Sequence, residues 1–206
     1  VQRRDRRMWD REPEDDDFLS LRLGLGRRPF GVTVKAPGQQ AALDPDPLIA
    51  EAQAIQSDSA QVDLLFATMT AQLGGVDVVV ANAGIGGAGP IAEMSDAAYR
   101  RIMGVNLDGV FFTCRAAARA MMPAASGAIV TVGSVDGRDT PANASAYGAA
   151  KAGVVAITHA IARELAPARI RVNCSCPGHM DTKMYRTALE RRAGRKGISV
   201  DEISAE

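Results

Sequence analysis

Three short apolar runs, separated by longer helical patterns, constrain the fold of this chain most strongly. They occupy residues 76–81, 127–133 and 170–176. The first, Val-Asp-Val-Val-Val-Ala, is rich in β-branched residues and typical of a parallel strand buried on both faces. The intervening stretches are long enough for helices that cross back over the sheet, and such crossovers are right-handed. The sequence therefore predicts a doubly wound parallel sheet in a three-layer α/β/α arrangement.

Apolar spacing and breaker residues give the predicted helices. Apolar residues recur at near-helical spacing from about residue 59 to residue 73. Ser95 is a good N-cap for a helix that runs to residue 122 with a kink near Gly109. An alanine-rich helix is predicted over 147–165 and a polar one over 183–194. The breakers that end the first three helices are Gly74, Pro123 and Pro167.

Composition indicates one globular domain and excludes several kinds of partner. Apolar residues make up 47% of the 206 positions and charged residues 23%, which suits a globular protein with a sizeable core. Because 24 basic residues balance 24 acidic ones, nothing favours binding to nucleic acid or to an acidic membrane. No apolar run approaches the ~20 residues of a membrane span. Three cysteines are too few for a disulfide framework, so a reducing cytoplasm is expected.

Residues 1–50 differ in character from the domain predicted over 51–206. The first part alternates arginine with acidic residues and has almost nothing to bury, and the rest is broken by glycine and proline. Such a segment is expected to be irregular, and the first βα unit of the sheet is not identifiable in it. A shifted reading frame in a GC-rich gene is the favoured explanation. A truncated or misassigned start and a genuine arm that binds a partner protein are the alternatives.

A serine, a tyrosine and a lysine form the strongest chemical pattern. Ser134 follows the run at 127–133, and Tyr147 comes 13 positions later, four before Lys151. Positions i and i+4 share one face of a helix, so the ammonium would lie beside the phenol. A free tyrosine ionises near pH 10, and a neighbouring cation favours the phenolate. Tyr147 is therefore a candidate general acid/base, with Ser134 offering a hydroxyl to the same substrate oxygen.

Two asparagines add to this pattern. Asn82-Ala83-Gly84 follows the run at 76–81, at the strand end where open α/β sheets bind ligands. Gly84 carries no side chain, so a ring could approach its backbone. Asn106 falls in the middle of a predicted helix, where propensity disfavours asparagine and a functional reason is plausible.

These residues resemble the short-chain dehydrogenase/reductase family over roughly Asp58 to Tyr185. The resemblance implies an NAD(P)-dependent oxidoreductase that interconverts a ketone and a secondary alcohol, with NAD or NADP as cofactor. Tyr147 would then be the general acid/base, Lys151 would lower its pKa and hold ribose hydroxyls, and Ser134 would orient the substrate oxygen. The resemblance also implies that Asn106 is the fourth catalytic residue, whose side chain would anchor a water relay to the lysine.

The resemblance also implies a cofactor-binding set and an assembly. The implied cofactor-binding residues are Asn82, Ala83, Gly84, Tyr147, Lys151, Pro177, Gly178 and Thr182. The implied partners are a small carbonyl or alcohol substrate and further copies of the chain in a homo-oligomer. Family members usually continue to a last strand beyond the position where this sequence stops, so its C-terminus is expected to be incomplete.

The glycine-rich turn that the family uses to hold the cofactor pyrophosphate has no good match here. Gly24-Leu25-Gly26 is the nearest pattern, but it lies too close to Asn82 and lacks a preceding strand. Weak dinucleotide binding is therefore expected. A catalytically defective relative, and an interaction protein that uses the charged arm, stand as alternatives to the enzyme. The choice between NAD and NADP stays open because the strand that decides it falls in the unmatched segment.

Two further groups of candidate site residues are a cluster of two cysteines and a histidine, and the residues expected at the mouth of the substrate site. Cys174, Cys176 and His179 could suggest a metal site, but zinc sites need a fourth ligand, and both cysteines share the alternation of the strand. No metal is therefore predicted, and the two cysteines are expected to be buried apolar side chains. The substrate could be a sugar, acyl or steroid ketone. The expected mouth residues are Asp136, Asn143, His179, Met184 and Tyr185.

Overall fold

The computed structural model describes residues 56–178, Met180 and 183–204, in which strands and helices alternate. The strands are β1 (Val78–Ala81), β2 (Gly127–Val132) and β3 (Ile170–Ser175). The helices are α1 (Ser59–Leu73), α2 (Asp96–Met103), α3 (Gly109–Met121), α4 (Ser145–Leu165), α5 (Lys183–Lys196) and α6 (Val200–Ser204). The segment 1–50, with its proposed arm and its Gly-Leu-Gly pattern, lies outside the described residues.

The three strands form one parallel sheet in the order β1-β2-β3. Val79 pairs with Ile129, which pairs in turn with Val172, so the register is continuous across the sheet. The carboxyl ends of all three strands therefore meet at one edge. The predicted parallel α/β sheet with helical crossovers is confirmed.

One face of the sheet contributes to the buried core. Its side chains join apolar residues of α1, α3 and α4 in a single cluster. The buried positions of this face include Val79, Ala81, Ile129, Ile170 and Val172. Residues of the other parity, such as Val78 and Arg171, are exposed within the described part of the chain. Burial on both faces was predicted for the run at 76–81, whereas the described helices cover only one face of the sheet.

The helix ends follow the signals read from the sequence. The Asp58 carboxylate accepts hydrogen bonds from the backbone N–H of Ala60 and Gln61, which caps α1. Gly74 ends that helix with a φ of 79°, a left-handed conformation that glycine adopts without strain. Ser95 caps α2 by accepting from the Ala98 N–H at 3.2 Å. None of the helices among the described residues is long and apolar enough to cross a membrane.

A π-helical segment, Gly104–Asp108, joins α2 to α3. The kink predicted near Gly109 therefore takes the form of a wider helical turn that ends just before this residue. Asn106 lies inside the segment and donates its side-chain amide to the Ile102 carbonyl at 3.0 Å. Single π turns within α-helices are frequent at functional sites. The segment therefore marks the stretch around Asn106 for closer inspection.

Gly137 provides a stability prediction because two elements approach each other at this residue. A Cβ at position 137 would lie 2.8 Å from the Ala152 nitrogen and 2.8 Å from the Lys151 carbonyl carbon. These backbone atoms in α4 cannot move aside without shifting the helix. Gly137→Ala should therefore lower the free energy of unfolding by about 1–3 kcal/mol. Urea denaturation measures this loss.

Gly89→Ala is the matched control, since a Cβ at position 89 would meet nothing within 4 Å. Its free energy of unfolding should stay within about 0.5 kcal/mol of the parent value. Equal stability of the two variants would contradict the close approach of the loop at Gly137 to α4.

Candidate active site

Ser134 lies just beyond β2, at the carboxyl edge of the sheet. Its backbone is extended, and its hydroxyl accepts a hydrogen bond from the Asp136 N–H at 3.1 Å. This bond caps a short 3₁₀ helix, Val135–Gly137, which turns the chain towards α4. The side chain is 8% exposed. The strand end thus fixes this hydroxyl at the edge where ligands bind in open parallel sheets.

Tyr147 and Lys151 lie one turn apart near the start of α4, which begins at Ser145, two residues before the predicted start. The Lys151 Nζ is 5.8 Å from the centre of the Tyr147 ring. Only 4% of Lys151 is exposed, and its Nζ donates to the Val132 carbonyl at 2.8 Å. The structure therefore brings all three residues of the predicted pattern together, with the lysine anchored to the last residue of β2.

The electrostatics of this group differ from the sequence-based prediction. Burial raises the pKa of Tyr147, a hydrogen bond with Ser134 opposes the rise, and the Asp136 carboxylate adds to it. Burial also lowers the pKa of Lys151, against opposing contributions from Cys174 and Cys176. The pKa of Tyr147 thus lies above its usual value in the described residues, whereas the sequence analysis expected Lys151 to lower it. Removal of the phenol from water is the largest cause of this shift.

Asn106 is fully buried and joins the helical segment to the loop after β1. Its Oδ1 accepts from the Ile85 N–H at 3.1 Å, and its Nδ2 donates to the Ile85 carbonyl at 3.0 Å. The same Nδ2 also reaches Ile102, so the amide satisfies groups on two elements. Its burial and hydrogen bonds exclude the interpretation of Asn106 as a solvated helix residue.

Asn82-Ala83-Gly84 follows β1 directly, as predicted. A Cβ on Gly84 would lie 2.9 Å from the Asn106 Oδ1 and 3.6 Å from the Lys151 Nζ. Glycine is therefore needed here to let the loop pass close to both polar side chains. This contact places the loop after β1 beside the lysine and the asparagine of the candidate site.

Gln56 is a site residue that the sequence analysis missed. It is 5% exposed, and its Nε2 lies 3.3 Å from both the Ala83 and the Val105 carbonyl oxygens. It thus connects the loop after β1 to the residue before Asn106. A glutamine ahead of a helix cap gives no pattern signal, because its partners are 27 and 49 positions away.

Pro177-Gly178 continues from β3 and contacts the serine loop. The Val135 N–H donates to the Pro177 carbonyl at 3.0 Å, and the Gly133 N–H donates to the Ser175 carbonyl at 2.7 Å. These bonds hold the segment after β3 against Ser134. Thr182 and His179 lie outside the described residues, so their predicted places are untested.

The two cysteines near this segment are half-buried, so the prediction that they are buried apolar side chains is wrong. Cys174 packs against the core at the end of β3, but Cys176 lies beyond the paired residues. Their Sγ atoms are 3.8 Å apart. In the described part of the chain, no group of three or more histidine, cysteine or acidic side chains is placed to hold a metal ion.

Some of the residues expected at the substrate mouth lie at the carboxyl edge of the sheet, and others cannot be placed there. Asp136 lies next to the serine turn, and the Asn143 carbonyl accepts the Gly89 N–H at 2.8 Å, which joins two loops at this edge of the sheet. Asn143 has a φ of 68°. Tyr185 lies in the first turn of α5, and the side chain of Met184 is not among the described ones.

The described chain is a parallel α/β sheet with a serine, a tyrosine, a lysine and an asparagine at its carboxyl edge. This arrangement is typical of oxidoreductases that use a dinucleotide cofactor. The sequence model of the family described as short chain dehydrogenase matches residues 37–193, more than half of the chain. This chain therefore belongs to the short-chain dehydrogenase family. The match extends beyond both ends of the resemblance, which the sequence analysis placed at roughly Asp58 to Tyr185.

Several relatives share this core. Cis-4-hydroxycyclohexanecarboxylate dehydrogenase of Sinomonas cyclohexanicum is 43% identical over 129 residues, which cover 62% of this chain and 52% of the relative. The 3-oxoacyl-[acyl-carrier-protein] reductase FabG of Salmonella typhimurium is 37% identical over 139 residues, 67% of this chain and 57% of its own length. The chain thus spans about half the length of these curated relatives.

Solved structures agree with the sequence relatives. Levodione reductase superimposes with a TM-score of 0.66 at 32% identity, covering 69% of this chain and 55% of that one. NAD⁺-bound xylitol dehydrogenase gives the same TM-score at 27% identity, covering 72% and 63%. All of these relatives are named as dehydrogenases or reductases.

Proposed function

We propose that this chain is an NAD(P)-dependent oxidoreductase that interconverts a ketone and a secondary alcohol. The observation that carries the proposal is the buried Lys151 ammonium, which is anchored to Val132 and lies beside the Tyr147 ring. In the described part of the chain, Lys151 has no acidic partner, and burying such a cation is costly, so its presence at a ligand-binding edge favours a functional role. Ser134 at the same edge supplies the second hydroxyl.

The residues present fit the nicotinamide-ribose half of a dinucleotide. An ammonium has three donors, and the Val132 carbonyl takes one, so Lys151 can also donate to a ribose diol. Gly84 keeps the loop after β1 free of side-chain bulk beside that ammonium. Asn82, Ala83, Pro177, Gly178 and Thr182 are proposed as further cofactor contacts. When bound, the dinucleotide supplies or accepts the hydride.

In this mechanism, the chain's own residues hold the substrate and move one proton. The Ser134 hydroxyl orients the substrate oxygen, and the Tyr147 Oη gives its proton to a ketone oxygen or takes the proton of an alcohol. Lys151 stabilises negative charge on the phenol oxygen. Asn106 fixes the loop after β1 through Ile85, and it is proposed to anchor the water that returns a proton to Lys151.

The direction of the Tyr147 shift predicts the pH dependence of the reaction. Alcohol oxidation requires the phenolate as base, and burial raises the pKa of Tyr147 above its ordinary value. The kcat/KM for oxidation should therefore keep rising with pH through the neutral range into alkaline solution, whereas reduction, which uses the protonated phenol, should stay level there. Initial rates in both directions across pH measure this difference. An oxidation profile that levels off at neutral pH would contradict the role of a phenol in so buried a setting.

A substrate panel tests the function itself. Because relatives are named for a ring alcohol bearing a carboxylate and for 3-oxoacyl groups, the panel contains 4-hydroxycyclohexanecarboxylate and a 3-oxoacyl thioester. Each is assayed with NAD(H) and with NADP(H) by nicotinamide absorbance. Turnover of any member supports the oxidoreductase. Binding of NADH or NADPH without turnover of the panel or of simple cyclic ketones would contradict the proposed substrate class. Absence of binding by calorimetry would favour the catalytically defective relative or the interaction protein.

We also propose that the protein acts in the cytoplasm as a homo-oligomer. The three cysteines are all free thiols in the structure, as expected in a reducing compartment. Light scattering after size-exclusion chromatography measures the assembly, and a mass equal to that of one chain would contradict the oligomer.

A further inference from the structure

Two thiols lie side by side at the end of β3, and the proposed reaction uses neither of them. The Sγ atoms of Cys174 and Cys176 are 3.8 Å apart, and both residues are half-buried rather than enclosed. Across the sheet, a Cβ on Gly133 would lie 3.0 Å from the Cys174 Sγ and 2.9 Å from the Cys176 Sγ. Glycine at position 133 therefore provides the space in which the two sulfurs meet.

Positive charge faces this pair. The thiols of Cys174 and Cys176 both act on the Lys151 ammonium and raise its pKa, so a thiolate at either position lies within electrostatic reach of that cation. Arg138 lowers the pKa of Cys176, although burial and the contact with Cys174 outweigh it. Because the thiolate is the form that reacts with electrophiles, the raised pKa of Cys176 slows this reaction at neutral pH, and the closeness of the two sulfurs is what marks the pair as a site.

We propose that Cys174 and Cys176 form a modification site at which hydroperoxides convert the two thiols to an intrachain disulfide. In the first step, one thiolate attacks the peroxide, so that an S–O bond forms, the O–O bond breaks and water leaves. In the second step, the other thiolate attacks the resulting sulfenic sulfur, so that the S–S bond forms, the S–O bond breaks and the departing hydroxide takes a proton released by the thiols to leave as a second water. The two thiols give up two electrons, and hydrogen peroxide is reduced to two molecules of water.

The backbone allows a disulfide to form because one of the two cysteines lies outside the paired residues of the sheet. Cys174 is paired with Thr131 in the sheet, whereas Cys176 lies past the last paired residue, Ser175. The sulfurs must approach from 3.8 Å to the ~2.05 Å of a disulfide bond, so Cys176 is the residue that moves. That movement pulls on Pro177, whose carbonyl accepts the Val135 N–H beside Ser134. Oxidation should therefore disturb the serine loop, a consequence for activity that rests on the proposed function.

The direct test is a mass measurement on the whole chain, and it does not depend on activity. The protein is treated with a small excess of hydrogen peroxide, its remaining thiols are alkylated after denaturation, and it is digested with trypsin. Cleavage after Arg171 and Lys183 places Cys174 and Cys176 on one peptide, while Cys114 lies on the peptide 102–115. The first peptide should lose two hydrogens and escape alkylation, and prior reduction should restore two alkylated cysteines. Cys114, which is buried, should remain alkylatable after denaturation.

Three results would overturn the proposal. These are two alkylated cysteines on the 172–183 peptide after peroxide, oxygen added to a single cysteine without loss of two hydrogens, and a disulfide between two chains. Met180 is 58% exposed and lies on the same peptide, so any added oxygen must be located by fragmentation before it is assigned to sulfur in cysteine.

Variants with one cysteine replaced by serine distinguish formation of the Cys174–Cys176 disulfide from oxidation of single cysteines. Cys174→Ser and Cys176→Ser should each form no intrachain disulfide and should instead leave a sulfenic acid that dimedone traps. Cys114→Ser should form the disulfide as the parent does. If a variant does not fold, the alkylation of the parent's two cysteine peptides is sufficient to test the proposal. A disulfide that forms without lowering dinucleotide binding or turnover would leave the modification site standing and overturn its coupling to the serine loop.

Discussion

Tyr147→Phe should lower kcat/KM for ketone reduction by about 10²–10⁴-fold, the usual contribution of a positioned general acid. The substitution removes one oxygen and leaves the ring that packs beside Lys151. The folded structure should therefore be retained, and the loss should fall on kcat because the missing proton is needed only in the transition state. Steady-state rates and circular dichroism of the same preparation measure both properties.

Tyr99→Phe provides the control for this experiment. Tyr99 lies in α2 with 47% of its surface exposed and has no part in the proposed site, so the same atom is removed from a tyrosine outside that site. Its kcat/KM should match that of the parent. Full activity of the Tyr147 variant would contradict the proposed mechanism, and an equal loss in both variants would assign the effect to something other than the active site.

Lys151→Met should raise the dissociation constant for NADH or NADPH by about 10–150-fold. This range corresponds to loss of one charge-assisted hydrogen bond of about 1.5–3 kcal/mol to a ribose hydroxyl. Turnover should fall further, because the phenol oxygen also loses its neighbouring cation. Calorimetry gives the affinity, and saturating kinetics separate it from kcat.

The change at Lys151 also leaves the Val132 carbonyl without its side-chain donor, so stability must be followed in parallel. Arg163→Met removes a cation from the exposed face of the same helix and should change neither affinity nor turnover. An unaltered dissociation constant in a folded Lys151 variant would exclude the lysine from dinucleotide binding.

The sequence predicted those parts of the fold that depend on local signals. Gly74 and Pro123 end helices in the structure as they were expected to, because glycine adopts a left-handed backbone and proline cannot continue an α-helix. The strands agree with the prediction within two residues at each end. The short helix α6 was not predicted, since five residues carry too little periodicity to be recognised.

The site was predictable only where its residues share a local spacing. Ser134, Tyr147 and Lys151 follow from one strand end and one helical turn, so sequence spacing alone places them near one another. Gln56 does not, because its role depends on carbonyls brought close by the packing of separate elements. The direction of the pKa shift of Tyr147 could not be predicted either, because it depends on how deeply the phenol is buried, and sequence spacing does not reveal that.

Three polar side chains around this site are held by hydrogen bonds to main-chain atoms. Lys151 bonds to a carbonyl in β2, Asn106 bonds to both backbone groups of Ile85, and Gln56 bonds to two further carbonyls. A main-chain oxygen is present whatever amino acid carries it. Val132 and Ile85 can therefore be exchanged for other residues of similar volume during evolution or in a mutant library without removing an anchor. In the proposed mechanism, substrate preference can therefore diverge through the surrounding side chains while these main-chain anchors are inherited unchanged.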